Sequence, residues 1–317
     1  LRTLVALFSL LFLTQVGYAQ PEELGRVDWL RDFAEAQQQS AQEGKPIFIL
    51  FQEVPGCATC QRYGVQVLSH PLIVEAIETY FVPLAIYNNK GGKDREVLQR
   101  FNEPTWNNPV VRITTEKGAD IHERLSGDYS PLFVTLALVD VLERRNVVVP
   151  NYLRLLREEL LSRAGGTEET TFAMYCFWTG EKTYGQVDGV VHTEPGWMHG
   201  KEVVKVEYDP RRISYTELLE VGRAAACADA AYTGDQAERN VASQALGRGK
   251  VAEPGPYRQD RADKYYLSRT AYRYVPMTDL QATRINARLG HRQNPDDLLS
   301  PRQLRLLWAA KAGIIQQ

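Results

Sequence analysis

Apolar side chains along this chain change their period in an order that alternates helix with strand. Trp29, Leu30, Phe33 and Ala34 recur at three- and four-residue steps, which predicts a helix over residues 29–42 that Gly44 stops. Residues 46–51, PIFILF, are continuously apolar, as in a central strand covered on both faces. Helices over 71–80 and 94–101 then alternate with strands over 81–86 and 110–113, and two strands hinge on Glu116-Lys117-Gly118. Amphipathic helices fit 130–144 and 151–163, and Gly165-Gly166 punctuates the chain as a domain boundary. Beyond it, residues 171–175 alternate as a strand and 215–228 read as a helix. Two more amphipathic helices, 279–289 and 301–312, flank the polar stretch 291–297 and are expected to pack on the second domain.

The 317 residues suit two domains at about 150 residues each. Thirty-seven basic against thirty-nine acidic side chains leave no net field that favours nucleic acid or an anionic membrane surface. Residues 1–19 read as an export signal: Arg2 supplies positive charge, 4–13 is an apolar run, and Gly17-Tyr18-Ala19 offers a cleavage position. That run is shorter than the about 20 residues that cross a bilayer, so an uncleaved anchor is the lesser alternative and no stable membrane insertion is expected. The expected organisation is a signal over 1–19, a first domain over 20–165 and a second over 166–317, exported to the periplasm or cell envelope. Four cysteines are too few for a disulfide scaffold, and one CxxC is at most half a zinc site, so no metal and no other cofactor is expected. Redox or nucleophilic use of cysteine is left.

Cys57 and Cys60 follow the apolar run in the sequence VPGCATC, on the turn that should open the next helix. Unpaired N–H groups and the positive dipole end there favour a thiolate, which makes Cys57 the attacking thiol and Cys60 the buried resolving one. The order strand, CxxC, helix, strand, helix, X-Pro, strand, turn, strand, helix resembles a thioredoxin-like domain. That resemblance implies a cis proline facing the dithiol, a role it assigns to Pro109. Gly56-Cys57-Ala58-Thr59-Cys60 departs from the family's Trp-Cys-Gly-Pro-Cys, and the residues around the cysteines tune both potential and direction.

In the second half, Cys176-Phe177-Trp178 sits at a strand-to-helix junction, with Glu181 five residues after the cysteine. A thiol between aromatic walls suits a small apolar group held beside a nucleophile. The sequences TFAMYCFWTGEKTYGQVDGVVHTEPGW and KEVVKVEYDPRRISYTELLEV resemble the A-type peptide methionine sulfoxide reductases over roughly sixty residues. The resemblance implies a ferredoxin-like α+β second domain, in an α/β chain whose first domain is thioredoxin-like. It further implies that Cys176 attacks the sulfoxide sulfur of oxidised methionine in peptides or proteins, that Phe177 and Trp178 hold the substrate methyl, and that Glu202 protonates the departing oxygen. A glutamate donates near neutral pH when burial raises its pKa, so Glu202 is expected in a partly apolar pocket. By the same resemblance Asp260 and Tyr265 share the spacing of the family's helper aspartate and tyrosine, with Tyr266 a competitor.

Departures from the signature are equally plain. Tyr175 stands where its first glycine belongs, Thr179 is inserted after Trp178, and the segment before Glu202 is shortened to Gly196-Trp197-Met198-His199-Gly200-Lys201. Trp197 or His199 is expected to fill the space of the missing side chains. Cys227 is the second cysteine of this half, and the partition of four cysteines into two pairs makes it the candidate that resolves oxidised Cys176 before Cys57 and Cys60 reduce the product. The function expected is an exported methionine-S-sulfoxide reductase whose first domain donates electrons drawn from an upstream thiol donor. The alternative is a thiol–disulfide oxidoreductase with a degenerate, peptide-binding second domain.

Overall fold

A strand with no polar side on either face needs a layer on each, and the first half of the chain supplies both. The computed structural model describes residues 20–106 and 109–314, so the expected export signal over 1–19 lies outside the described residues. A short turn at Glu22–Leu24 leads to α1 (Phe33–Glu43), β1 (Ile47–Gln52), α2 (Ala58–Gln66), α3 (Pro71–Tyr80), β2 (Val82–Tyr87), α4 (Lys93–Arg100), β3 (Val110–Thr114), α5 (Pro131–Arg144) and α6 (Asn151–Ala164). β1 is the central strand of three, parallel to β2 and antiparallel to β3. Phe48 and Leu50 face Ile73 and Ile77 of α3 and Val134 and Leu138 of α5. Ile47, Ile49 and Phe51 face Ala36 of α1 and Val97 and Leu98 of α4. Ile47 to Phe51 are therefore all buried, as a continuous apolar run requires, and the polar Gln52 that ends β1 is buried as well.

Two expectations for this half change. The first helix begins at Phe33, because the Asp32 carboxylate accepts the Ala34 and Glu35 N–H groups and caps it there. Leu30, expected in that helix, instead bridges Leu84 and extends the sheet, while the Trp29 ring packs on Phe48. The strand expected after Gly118 is reduced to single bridges, Thr114 to Asp120 and Val111 to Leu125. Residues 119–130 offer only Ile121 and Leu125 as large aliphatic side chains to a core, too few to hold a full edge strand.

The second half continues with β4 (Glu168–Ala173), α7 (Phe177–Tyr184), β5 (Val190–Met198), β6 (Lys201–Tyr208), α8 (Tyr215–Ala224), β7 (Ala230–Tyr232), α9 (Gln236–Leu246), β8 (Val251–Ala252), β9 (Tyr257–Gln259), α10 (Tyr265–Ser268), α11 (Asp279–Gly290) and α12 (Pro301–Lys311). Its sheet runs β8-β7-β4-β6-β5-β9. Within it β4-α7-β5-β6-α8-β7 forms a βαββαβ unit of ferredoxin-like order, the α+β arrangement expected. Phe172, Val204 and Val206 of the sheet pack against Leu218 and Leu219 of α8. α7 lies so close to β4 that a Cβ on Gly180 would come within 2.1 Å of the Met174 sulfur. The helix expected over 215–228 ends at Ala224, and Ala226 takes a left-handed φ of 53°.

The tail helices pack between the two halves rather than on the second alone. Leu155 of α6 joins Tyr272, Val275, Leu280, Ile285, Leu298, Leu299 and Leu307 in one cluster. The buried Glu75 carboxylate of α3 accepts the Arg302 N–H at the start of α12, and Arg302 also pairs with Glu78. Arg284 of α11 donates to Gly185 O and Val187 O at 2.8 and 2.7 Å and to Glu158 of α6 at 3.2 Å. Among the described residues no helix is long and apolar enough to cross a membrane. Leu280 is fully buried at the centre of the tail cluster. Leu280→Ala is expected to lower the unfolding free energy by about 2–5 kcal/mol, seen as an earlier urea midpoint in far-UV circular dichroism.

Candidate active site

Two cysteines of this chain cap helices, and each sits where a strand from the middle of a sheet gives way to a helix. Cys57 is the N-cap of α2, exposed, with its sulfur 3.6 Å from that of buried Cys60. The Cys60 backbone N–H donates to the Cys57 sulfur and holds that thiol below the usual thiol range. Burial pushes the Cys60 thiol up to about 11. Gly56 makes the tight turn possible: a Cβ there would lie 2.7 Å from the Cys60 Cβ and 2.4 Å from Glu53 O. Its N–H donates to the Glu23 carboxylate at 2.8 Å. Pro109 is buried at the start of β3, but the peptide joining it to Asn108, expected to be cis, lies outside the described residues.

Cys176 is the N-cap of α7 and partly buried. Its sheet neighbour β6 carries Glu202, whose carboxylate accepts the Phe177 N–H at 2.9 Å and so fills one of the unpaired donors of the first helical turn. Glu202 O also accepts the Met174 N–H at 3.0 Å, which fixes β6 beside the chain that enters the thiol turn. Glu202 is half-buried, against the aromatic cluster. In that cluster Phe177 lies 5.6 Å from Trp178 and 5.5 Å, edge on, from Trp197, and Tyr265 stacks face to face on Trp178 at 3.8 Å. Tyr175, next to the thiol, is 91% exposed.

The remaining expected residues fall unequally around this centre. Trp197 joins the ring cluster, and its indole N–H reaches the Asp260 carboxylate at 3.4 Å. His199 lies apart from that cluster: at a left-handed φ of 50° its ring turns to Tyr232 and to Glu253 O. Tyr266 stands beside Tyr265, close enough to Cys176 that a charge there helps burial raise its hydroxyl pKa. Cys227 lies in the turn after α8 rather than on the helix, fully buried, with its sulfur against the Thr183 hydroxyl at 3.8 Å and Ala225 O at 3.4 Å. Burial pushes its thiol up, and the nearness of Cys176 adds to the rise.

Sequence reasoning passed over one pair. Glu181, fully buried on α7, accepts the Lys264 N–H at 3.2 Å and the Tyr265 N–H at 3.4 Å, and Lys264 Nζ stands 3.6 Å from it. Burial pushes the Glu181 carboxyl up to about 7, with Lys264 opposing. Glu181 stands five residues after Cys176 on the same helix, but nothing in the local sequence around Lys264 names Lys264 as its partner. Among the described residues no group of three or more His, Cys, Asp or Glu side chains is placed to hold a metal ion.

Residues 28–136 match the family model described as thioredoxin-like. The chain is 40% identical over 72 residues to the peptide methionine sulfoxide reductase MsrA of Methanococcus maripaludis, an alignment that covers 17% of this chain and 46% of that protein. It is 43% identical over 68 residues to MsrA of Thermoactinomyces vulgaris, covering 16% and 55%, and 41% identical over 71 residues to peptide methionine sulfoxide reductase A5 of Oryza sativa subsp. japonica, covering 18% and 28%. The chain thus spans about half or less of the length of these curated relatives. A solved DsbH oxidoreductase is similar at 17% identity and a TM-score of 0.32, covering 40% of this chain and 92% of that one. The chain joins a thioredoxin-like domain to a segment similar to the A-type peptide methionine sulfoxide reductases.

Proposed function

We propose that this chain is an exported thiol reductase that converts methionine S-sulfoxide in peptides or proteins to methionine, with its thioredoxin-like domain as electron donor. The observation that carries the reading is the Glu202 carboxylate bonded to the Phe177 N–H, one residue past the Cys176 cap, where the Phe177, Trp178 and Trp197 rings cluster. A sulfoxide reductase needs a thiol to attack sulfur, an acid for a poor oxide leaving group and an apolar seat for the methyl. Cys176, Glu202 and the Phe177, Trp178 and Trp197 rings supply these types in one place.

The steps balance as follows. The Cys176 sulfur bonds to the sulfoxide sulfur, Glu202 hands a proton to the oxygen, and the oxygen passes to Cys176 as a sulfenic acid while the thioether leaves. Cys227 attacks the sulfenic sulfur, forming a Cys176–Cys227 disulfide and releasing water. Cys57 opens that disulfide through a mixed disulfide, Cys60 displaces it, and an upstream thiol donor reduces the resulting Cys57–Cys60 disulfide. Asp260 supports the cage through Trp197, and Tyr265 forms its outer wall. Delivery to the periplasm or cell envelope is supported by the apolar pattern of residues 1–19.

With dithiothreitol as reductant, the full chain is expected to consume the S epimer of a methionine sulfoxide peptide, Cys176→Ser to abolish this, and Glu202→Gln to lower kcat by about 10²–10⁴-fold. No turnover by the intact chain, with insulin disulfides still reduced, would leave the second domain as a peptide-binding module and overturn the reading. In a Cys57→Ser variant, one equivalent of sulfoxide should trap a Cys176–Cys227 disulfide detectable by peptide mass mapping. The thiol shifts give a separate expectation: iodoacetamide at neutral pH should modify Cys57 first, because its thiolate forms at lower pH than an ordinary thiol's, while Cys60 reacts only toward pH 11 or after unfolding.

A further inference from the structure

The short helix α10 carries the residue that stacks on Trp178, and it has no cap of its own. Four residues long, it is preceded by Lys264 in a left-handed conformation, φ 52°, whose own side chain accepts none of its first N–H groups. Those groups must find partners elsewhere, because a helix leaves its first N–H donors unpaired. Two buried side chains from other elements take them. Asn286 of α11 accepts the Tyr266 and Leu267 N–H groups at 2.9 and 3.1 Å. Glu181 of α7 accepts those of Lys264 and Tyr265, one on each carboxylate oxygen.

Lys264 Nζ completes the arrangement: besides Glu181 it reaches Asp263 at 3.0 Å and bonds to Thr193 O of β5. The carboxylate is thus held between the helix that begins at Cys176 and the turn that delivers Tyr265. Glu181 and Lys264 are both buried. A buried charged pair is by itself a weak source of stability, so its use is sought in the geometry it fixes.

We infer that Glu181 is a positioning residue that fixes Tyr265 face to face on Trp178 through the Lys264 and Tyr265 N–H groups, and so closes the outer wall of the cage that seats the methionine sulfoxide side chain. This rests on the reductase reading above. The role is specific to binding: the wall contacts the substrate equally before and during oxygen transfer, whereas Cys176 and Glu202 act in the chemical step.

The test compares the full chain with Glu181→Gln, Tyr265→Leu and the double variant. Glutamine offers one carbonyl oxygen where the carboxylate offers two, so one backbone N–H loses its acceptor. KM for a methionine S-sulfoxide peptide is expected to rise about tenfold in Glu181→Gln, with kcat within about twofold of the parent. Tyr265→Leu should raise KM as much or more, and the double variant should be no worse than Tyr265→Leu, because Glu181 acts through that ring. The near-UV circular dichroism lost in Tyr265→Leu should also be lost in Glu181→Gln. Unchanged KM and near-UV signal in Glu181→Gln, a fall in kcat alone, or effects that add in the double variant would each overturn the inference. Should Glu181→Gln fail to fold, Glu181→Asp takes its place: it keeps the charge but is one methylene too short to span both N–H groups, and a parental KM in it overturns the inference. If the parent chain turns over no sulfoxide, the reductase reading fails separately, and the near-UV comparison still decides whether Glu181 holds the ring.

Discussion

One hydrogen bond, from the Phe177 N–H to the Glu202 carboxylate, ties the first turn of α7 to β6 and sets the arrangement of the candidate site. A helix entered directly from a strand has unpaired donors at its first turn, and a cysteine cap with no side-chain bond does not satisfy them. β6 lies beside β4 in the sheet, so a carboxylate from β6 is within reach of that turn. The pairing that builds the sheet therefore also places the acid beside the thiol. The aromatic rings follow from the same fact: Phe177 and Trp178 are the first residues of the helix so anchored, and Trp197 faces Glu202 across the β5–β6 pair.

The two halves share this plan without sharing a sheet. Cys57 and Cys176 each cap a helix after a buried strand, but the first is exposed and partnered by a thiol one turn on, whereas the second is partly covered and partnered by an acid and a cage. Exposure suits a group that must meet other disulfides; a covered seat suits one that must select a small side chain. α6, α11 and α12 join the halves through Leu155, Arg284 and Glu75 rather than through a flexible linker.

What the sequence made legible was local. PIFILF announces a strand covered on both faces, VPGCATC and CFW announce thiols at helix starts, and Gly165-Gly166 separates α6 from β4. What it hid was set by partners far along the chain or by single backbone angles. Glu181 and Lys264 are 83 residues apart, and Lys264 matters through its left-handed backbone and its N–H, neither of which a residue letter displays. His199 and Trp197 were equivalent candidates by position, and the left-handed turn at His199-Gly200 decided between them. Leu30 looked helical by spacing because its partner Leu84 is on a neighbouring strand. The tail helices are amphipathic as expected, but periodicity cannot say that their apolar faces meet Leu155 of α6.

The bond between Glu75 and the Arg302 N–H joins residues 227 positions apart. During synthesis α3 precedes α12 by more than two hundred residues, so the flank of α3 that carries Glu75 lacks its Arg302 partner until α12 has been made. Until residues 272–307 emerge, the apolar surface around Leu155 lacks the side chains that cover it. The order in which elements emerge, and not only the final contacts, is therefore part of how α12 serves the fold.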